Sequence, residues 1–271
     1  MAFVNIVTLN IGAASKERAQ RILDEWVKSS EFDIYVFTEV SDGDGTNLIL
    51  AAFHDVNWTV VRVPCATNDR GVAIASRVGI KTDAVYPAND PGKGRAAIAV
   101  LDTTPQVELI GMYVPNRGND PTKMDRKKAY LDCWLKQLSA KHNRQPCRIL
   151  IGDLNIVPPA QHPNLLPQLP FEYSWYRDVI EKCGLYDAPV RHNANAHEDT
   201  WVAASGEGYT YDHVFIDLRL AGRVRGFRYD HNTRRRGGIT DHSAVAVRLE
   251  MDSVSELDTY AVGTPRQSAL F

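Results

Sequence analysis

Apolar residues fall along this chain in short runs closed by Gly, Pro, Asn or Asp, the pattern of buried or half-buried strands. Phe3–Leu9 and Asp33–Thr38 are apolar and β-prone, and they end at Asn10 and Glu39. Val56–Val63, Gly71–Ser76, Ile80–Val85, Ala96–Leu101, Val107–Tyr113 and Ile149–Ile151 read as further strands, as do Tyr211–Ile216, Val224–Tyr229 and Ser243–Leu249. Ala19, Ile22, Leu23, Trp26 and Val27 recur instead at helical spacing, with Ser15 placed to cap that helix. A second helix is predicted to begin near Asp120-Pro121 and to bury Leu131, Trp134, Leu135 and Leu138. A third covers roughly Tyr173–Cys183, after a Pro-rich loop over Val157–Pro170. Strands in hairpin-like succession with a few helices between them imply two packed sheets flanked by helices. No stretch reads as an interdomain linker, so residues 1–250 are expected to form one domain. Residues 251–271 are polar and patternless, and a poorly ordered tail is expected there.

Composition adds limits. The 271 residues are 44% hydrophobic and 24% charged, enough for a sizeable core. With a formal net charge of -2, any grip on nucleic acid must come from local patches and not from the average field. Two such patches exist: Lys123, Arg126, Lys127 and Lys128, and the run Arg219, Arg223, Arg225, Arg228 and Arg234-Arg235-Arg236. Cys65, Cys133, Cys147 and Cys183 lack C-x-x-C spacing, which argues against zinc and for reduced thiols. No apolar run approaches the ~18–20 residues that span a bilayer, and the first residues lack a leader pattern. The expectation is a soluble, cytoplasmic, monomeric protein without a membrane partner.

The candidate chemistry sits at strand ends. In Arg148–Pro158 an apolar run meets Gly152 and then delivers Asp153 and Asn155 on alternate residues. On an extended chain these project together, a carboxylate beside a carboxamide, which suits polarising a water while holding a phosphoryl oxygen. The same Gly-Asp-x-Asn also fits a turn built from side chain-to-backbone hydrogen bonds. Thr240-Asp241-His242-Ser243 opens another strand with complementary groups. Together they point to cleavage of phosphate esters. No Gly-x-Ser-x-Gly, nucleophilic triad or P-loop is present.

Asn10, Glu39, Tyr113 in Tyr-Val-Pro-Asn, Asp153 with Asn155, Asp212 in Tyr-Asp-His-Val-Phe, and Asp241 with His242 follow one another in an order that resembles the endonuclease/exonuclease/phosphatase superfamily. The likeness covers roughly residues 3–249. Tyr113-Val114-Pro115-Asn116 before Gly118, Gly152-Asp153-Leu154-Asn155-Ile156, Gly184-Leu185-Tyr186-Asp187 and Thr200-Trp201 are most similar to its exonuclease III-type apurinic endonuclease branch. Thr38, Ser41-Asp42-Gly43 and Thr210 depart from that branch, where Gln, a Lys and an Arg are usual; these positions bear on abasic-site preference.

The resemblance implies an α/β fold, a four-layer α/β/β/α sandwich of two mixed sheets with the site at one end. It implies Mg²⁺ as cofactor, with Mn²⁺ as a substitute. Glu39 would be the principal ligand, and Asn10 and Asp241 would hold the metal or its waters. Asp153 would orient or deprotonate the attacking water and Asn155 would hold the phosphate, while Tyr113 would hydrogen-bond the phosphate or the leaving oxygen or else pack its ring against the core. His242, paired with Asp212, would donate to a non-bridging oxygen. Trp201, Asn116, Arg95, Arg234, Arg235 and Arg236 would contact the substrate, with Arg70 as a further phosphate contact. His213, next to Asp212, should face the opposite side of its strand and be structural. The implied function is Mg²⁺-dependent cleavage of DNA, as an apurinic endonuclease, a 3′-exonuclease, or both, with a role in DNA repair. Two readings stand beside it: a phosphatase or phosphodiesterase for a phosphoinositide or nucleotide, and a non-catalytic nucleic-acid-binding module.

Overall fold

Two six-stranded sheets lie face to face in the computed structural model, which describes residues 1–271 apart from 82–85, 119, 141–145, 162–167, 193–196, 236 and 264–271. The first sheet runs, in spatial order, Val224–Asp230, Ala244–Met251, Ala2–Asn10, Ile34–Val40, Gly71–Ser76 and Thr59–Arg62. The second runs Leu185–Asp187, Asp212–Asp217, Cys147–Asp153, Val107–Tyr113, Ala96–Leu101 and Ile80–Lys81. Each sheet has one parallel pair at its centre, Ala2–Asn10 with Ile34–Val40 and Val107–Tyr113 with Cys147–Asp153. The other pairings are antiparallel.

Strand alternation assigns the layers. Val4, Ile6, Ile34, Val36, Val72 and Ile74 point inward against Ala97, Ala99, Leu109, Ile149, Ile151 and Val214, forming the core between the sheets. Their chain neighbours Val7, Leu9, Tyr35 and Phe37 point outward and are covered by Ile22, Trp26, Ile49 and Phe53. On the far side Ile98, Ile110 and Leu150 are covered by Tyr130, Trp134, Trp175 and Val179. The α/β/β/α sandwich is therefore present. Gly111 lets the sheets approach closely: a Cβ there would stand 2.7 Å from Val36 Cγ1 and 2.9 Å from Val72 Cγ1.

Ser15 caps the first helix, accepting from the Arg18 amide at 3.2 Å; the helix spans Lys16–Arg21 and widens into a π-helical turn over Ile22–Val27. The predicted second and third helices are Pro121–Ala140 and Pro170–Glu181. Two expectations need correction, and a third is described only in part. The helix Asp44–His54 has no counterpart in the sequence reading, and the strand expected over Val56–Val63 is only Thr59–Arg62 because that helix and its closing turn occupy the preceding residues. Of Ile80–Val85, Ile80–Lys81 is a strand and 82–85 lie outside the described residues. The stretch after Met251 is docked as far as it is described: Ser253–Val254 pairs with Thr103–Thr104, and the Tyr260 amide donates to Val56 O at 3.2 Å. Among the described residues, no helix is long and apolar enough to cross a membrane.

Candidate active site

The two parallel pairs bring four carboxyl-terminal strand ends to one rim, and a single amide ties them together. Asn10 Nδ2 donates to Asp153 Oδ2 at 2.8 Å and to Glu39 Oε1 at 3.2 Å, while Asn10 Oδ1 accepts from the Gly12 amide at 2.8 Å. Tyr113 OH donates to Glu39 Oε1 at 3.1 Å, and Arg70 forms an ion pair with Glu39 Oε2. Glu39 is re-aimed by its backbone. It has φ of 55° and stands where the pairing with Gly71–Ser76 slips between Thr38 and Val40. A left-handed Glu in a bulge is costly locally and collects at functional positions. Asp153 follows Gly152, whose φ of 140° and whose spacing to Met112 O, 2.2 Å from a Cβ, admit no side chain.

Asp153 and Asn155 do not project together from an extended strand. The strand stops at Asp153, Asn155 adopts φ of 49°, and its amide donates to Asp153 Oδ1 at 2.9 Å. The turn reading of Gly-Asp-x-Asn is the one observed, and it positions the carboxylate instead of competing with it. Asn155 Nδ2 donates to Val114 O at 3.0 Å.

Asp212 lies directly across from Asp153 in the antiparallel register, and His242 Nδ1 is 2.7 Å from Asp212 Oδ2. Asp153, Asp212 and His242 each offer one ligand-type atom within 4.8 Å of the others, all three buried. Burial, reinforced by the Asp212 carboxylate, pushes Asp153 up to about 6. Burial also opposes charge on His242, but the Asp212 carboxylate and its hydrogen bond outweigh it and hold the ring up to about 9.

These shifts make a prediction for the metal-free protein. A histidine raised above its ordinary 6.5 contributes stability that is complete below 6.5 and is lost as pH climbs through about 9. Asp153, raised above 3.8, also binds its proton more tightly when folded, so its share falls as pH rises from about 4 to about 6. Thermal melts in EDTA should show a declining midpoint from about pH 7 to about pH 9.5, flattened in Asp212→Asn. An unchanged wild-type midpoint across that interval would refute the assignment.

Asp241 reaches this rim through its neighbour: Thr240 Oγ1 donates to Asn10 O at 2.7 Å and approaches Asp241 Oδ1 at 3.4 Å. Trp201 Nε1 donates to Asp241 Oδ2 at 3.2 Å. Trp201, Tyr209 and Tyr211 form a half-exposed aromatic ledge, with successive centroids 5.6 to 6.4 Å apart. Tyr209 and Tyr211 escaped the sequence reading, although tyrosines two apart before Asp212 carried the signal. Asn116 lines two adjoining clefts and caps its own loop, Oδ1 accepting from the Gly118 amide at 3.0 Å.

The arginines divide. Arg95 is buried, paired with Asp69 and 4.7 Å over the Tyr113 ring. Arg234 is tied inward to Ser243 Oγ at 2.9 Å and Asp199 O at 3.0 Å, Arg235 is exposed, and Arg236 lies outside the described residues. Asp69, also missed, joins Arg95 to Arg126. His213 does face away, its Nε2 at 2.8 Å from Ile156 O, beside the buried Asp187.

A profile of the Endonuclease/Exonuclease/phosphatase family matches residues 7–242. No curated protein matches the chain in sequence. Among solved structures it is similar to the 3′ phosphatase NExo from Neisseria bound to product DNA hairpin, at TM-score 0.76 and 21% identity, covering 91% of this chain and 99% of that one. It is similar to an AP endonuclease from Archaeoglobus fulgidus at TM-score 0.76 and 21% identity, covering 92% and 100%. The AP endonuclease LMAP from Leishmania major gives TM-score 0.72 and 16% identity over 92% and 88%. These likenesses establish a shared fold.

Proposed function

This chain belongs to the endonuclease/exonuclease/phosphatase family, and from that footing we propose that it is a metal-dependent phosphodiesterase that cleaves DNA, as an apurinic endonuclease, a 3′-exonuclease, or both. The observation that carries the reading is the buried link from Asn10 to both Glu39 and Asp153, with the His242–Asp212 pair alongside. Carboxylates from two sheets, Glu39 and Asp153, are joined there through one buried amide.

The donor set fits a hard divalent cation. Glu39 and Asp241 carry oxygen donors of the kind Mg²⁺ or Mn²⁺ takes, and Asn10, its Oδ1 held by the Gly12 amide, orients Glu39 and Asp153 through Nδ2. A ring held protonated to about 9 is a poor ligand, which favours Glu39 over His242 as the anchoring residue. When bound, the cation supplies positive charge for a phosphoryl oxygen and for the departing alkoxide. The chain supplies the rest. Asp153 sits near neutrality and so can take the proton of the attacking water. His242, with Nδ1 fixed by Asp212, keeps Nε2 to donate to a phosphate oxygen. Tyr113 and Asn155 border the same rim, and Trp201, Tyr209 and Tyr211 offer faces on which bases stack.

The three structural neighbours, a 3′ phosphatase bound to a DNA hairpin and two AP endonucleases, support nucleic acid over a smaller ester. Incubation with abasic duplex, intact duplex, 3′-phosphorylated duplex and inositol phosphates under Mg²⁺ tests this. Turnover of at least one DNA substrate is expected; turnover of inositol phosphates alone would end the DNA reading, and no turnover of any would favour a binding module. A cytoplasmic location belongs to the same proposal, supported by four scattered free cysteines suited to a reducing compartment.

A further inference from the structure

Glu39 Oε1 already accepts from Asn10 and Tyr113, and Oε2 is paired with Arg70. A cation arriving at this carboxylate competes with the donors already there, above all with the positive charge on Oε2, and the three are not equally held. Asn10 is 1% exposed and also bonded to Asp153; Tyr113 is buried on its strand. The Arg70 side chain is 47% exposed, so its ion pair is worth little and is the one that yields.

Arg70 has somewhere to go. It borders a cleft of about 420 Å³ lined also by Arg95, Lys123 and Arg126, with Asp69 the one carboxylate among the lining residues. Arg95 and Arg126 share Asp69, which leaves the cleft strongly cationic even with Arg70 engaged. Tyr113 and Asn116 form its wall towards the rim. A cationic cleft of this size, open beside a phosphoryl site, suits the phosphate of a nucleotide adjoining the scissile one.

We propose that this cleft binds a neighbouring backbone phosphate and that Arg70 couples it to the metal, standing in for the cation on Glu39 until the cation releases it to the phosphate. The proposal rests on Glu39 being a metal ligand. Metal and DNA then tighten each other's binding through one guanidinium, and the metal-free protein keeps its Glu39 charge neutralised.

Two measurements test it without turnover. Calorimetric titration of the DNA-free protein with Mg²⁺ should show Arg70→Ala binding about five-fold tighter than wild type, the worth of one exposed ion pair. Arg126→Ala, which lacks the Glu39 contact, should match wild type. Anisotropy of a fluorescein-labelled duplex in Ca²⁺ should show both variants about five-fold weaker than wild type. In EDTA only Arg126→Ala should be weaker, because Arg70 is then occupied. Mg²⁺ affinity equal or lower in Arg70→Ala, or an equal DNA deficit for that variant with and without Ca²⁺, overturns the coupling alone. Failure of Mg²⁺ to bind wild type and Arg70→Ala alike overturns the metal reading and the coupling with it.

Discussion

Asp153→Asn is expected to lower kcat on a DNA phosphodiester by about 10³-fold, the usual worth of a positioned proton acceptor. An amide cannot take the proton of the attacking water, yet it matches the carboxylate in shape and still accepts from the Asn155 amide. The bond from Asn10 Nδ2 to Oδ2 is lost, and removal of a buried charge offsets it. The wild-type carboxylate is buried against Asp212, which together push it up to about 6, and a neutral group removes that repulsion. The melting midpoint of the metal-free variant at neutral pH should equal or exceed that of wild type. Stability and activity thus move apart, which a purely structural role would not produce. Paired kinetics and melts decide it, and a variant keeping a tenth of wild-type kcat would remove Asp153 from the chemistry.

The second large effect lies behind the site. Glu172 is 0% exposed and pairs with Lys127, 2% exposed, and with Arg117. Lys127 Nζ also donates to Asn155 O at 2.7 Å, and Glu172 Oε2 accepts from the Leu169 amide at 2.7 Å. Burial lowers the affinity of Lys127 for its proton, and Glu172 works against that loss. Glu172→Ala strands a buried ammonium and frees the start of a helix, so a loss of about 3–5 kcal/mol is expected. Denaturant unfolding measures it. Lys127→Met with Glu172→Leu should recover part of the loss, because two apolar groups of similar volume replace the buried charges while the Leu169 amide and Asn155 O still lose their partners. Activity should fall with Glu172→Ala even at temperatures where the variant is folded, since Lys127 anchors the Asn155 carbonyl in the turn that carries Asp153.

Much of the fold was legible because strand and helix periods differ. The even and odd residues of Phe3–Leu9 divide cleanly between two cores, and Trp134 and Leu138 fall on the buried face of their helix. Asp44–His54 was not legible: Leu48, Ile49 and Leu50 are consecutive, and its N-terminus is an uncapped Gly43. Residues after Met251 lack a pattern because they are held largely through their backbone, by bonds to the backbone of 56, 77, 79, 102 and 104 and by Asn57 Nδ2 and Trp58 Nε1 donating to their carbonyls. At the site, residue types at strand ends were readable, but their partners were not. Asp153 with Asn155 was placed together on strand alternation, whereas a left-handed Asn155 and a hydrogen-bonded turn do the positioning. Arg70 and Asp69 lie in an irregular loop, where distant pairing leaves no periodic trace.

The first strand, Ala2–Asn10, sits between Ile34–Val40 and Ala244–Met251 in the sheet. One neighbour forms early in the sequence, but the other must be recruited across most of the chain, with Asn10 and Thr240 separated by 230 positions. Loop closure on that scale precedes any reward from pairing, so acquisition of the native state belongs among slow β-rich folders, on the order of milliseconds to seconds. Until it completes, Ala2–Asn10 offers an unsatisfied edge along an apolar strand, and refolding at high concentration will favour aggregates over the native fold.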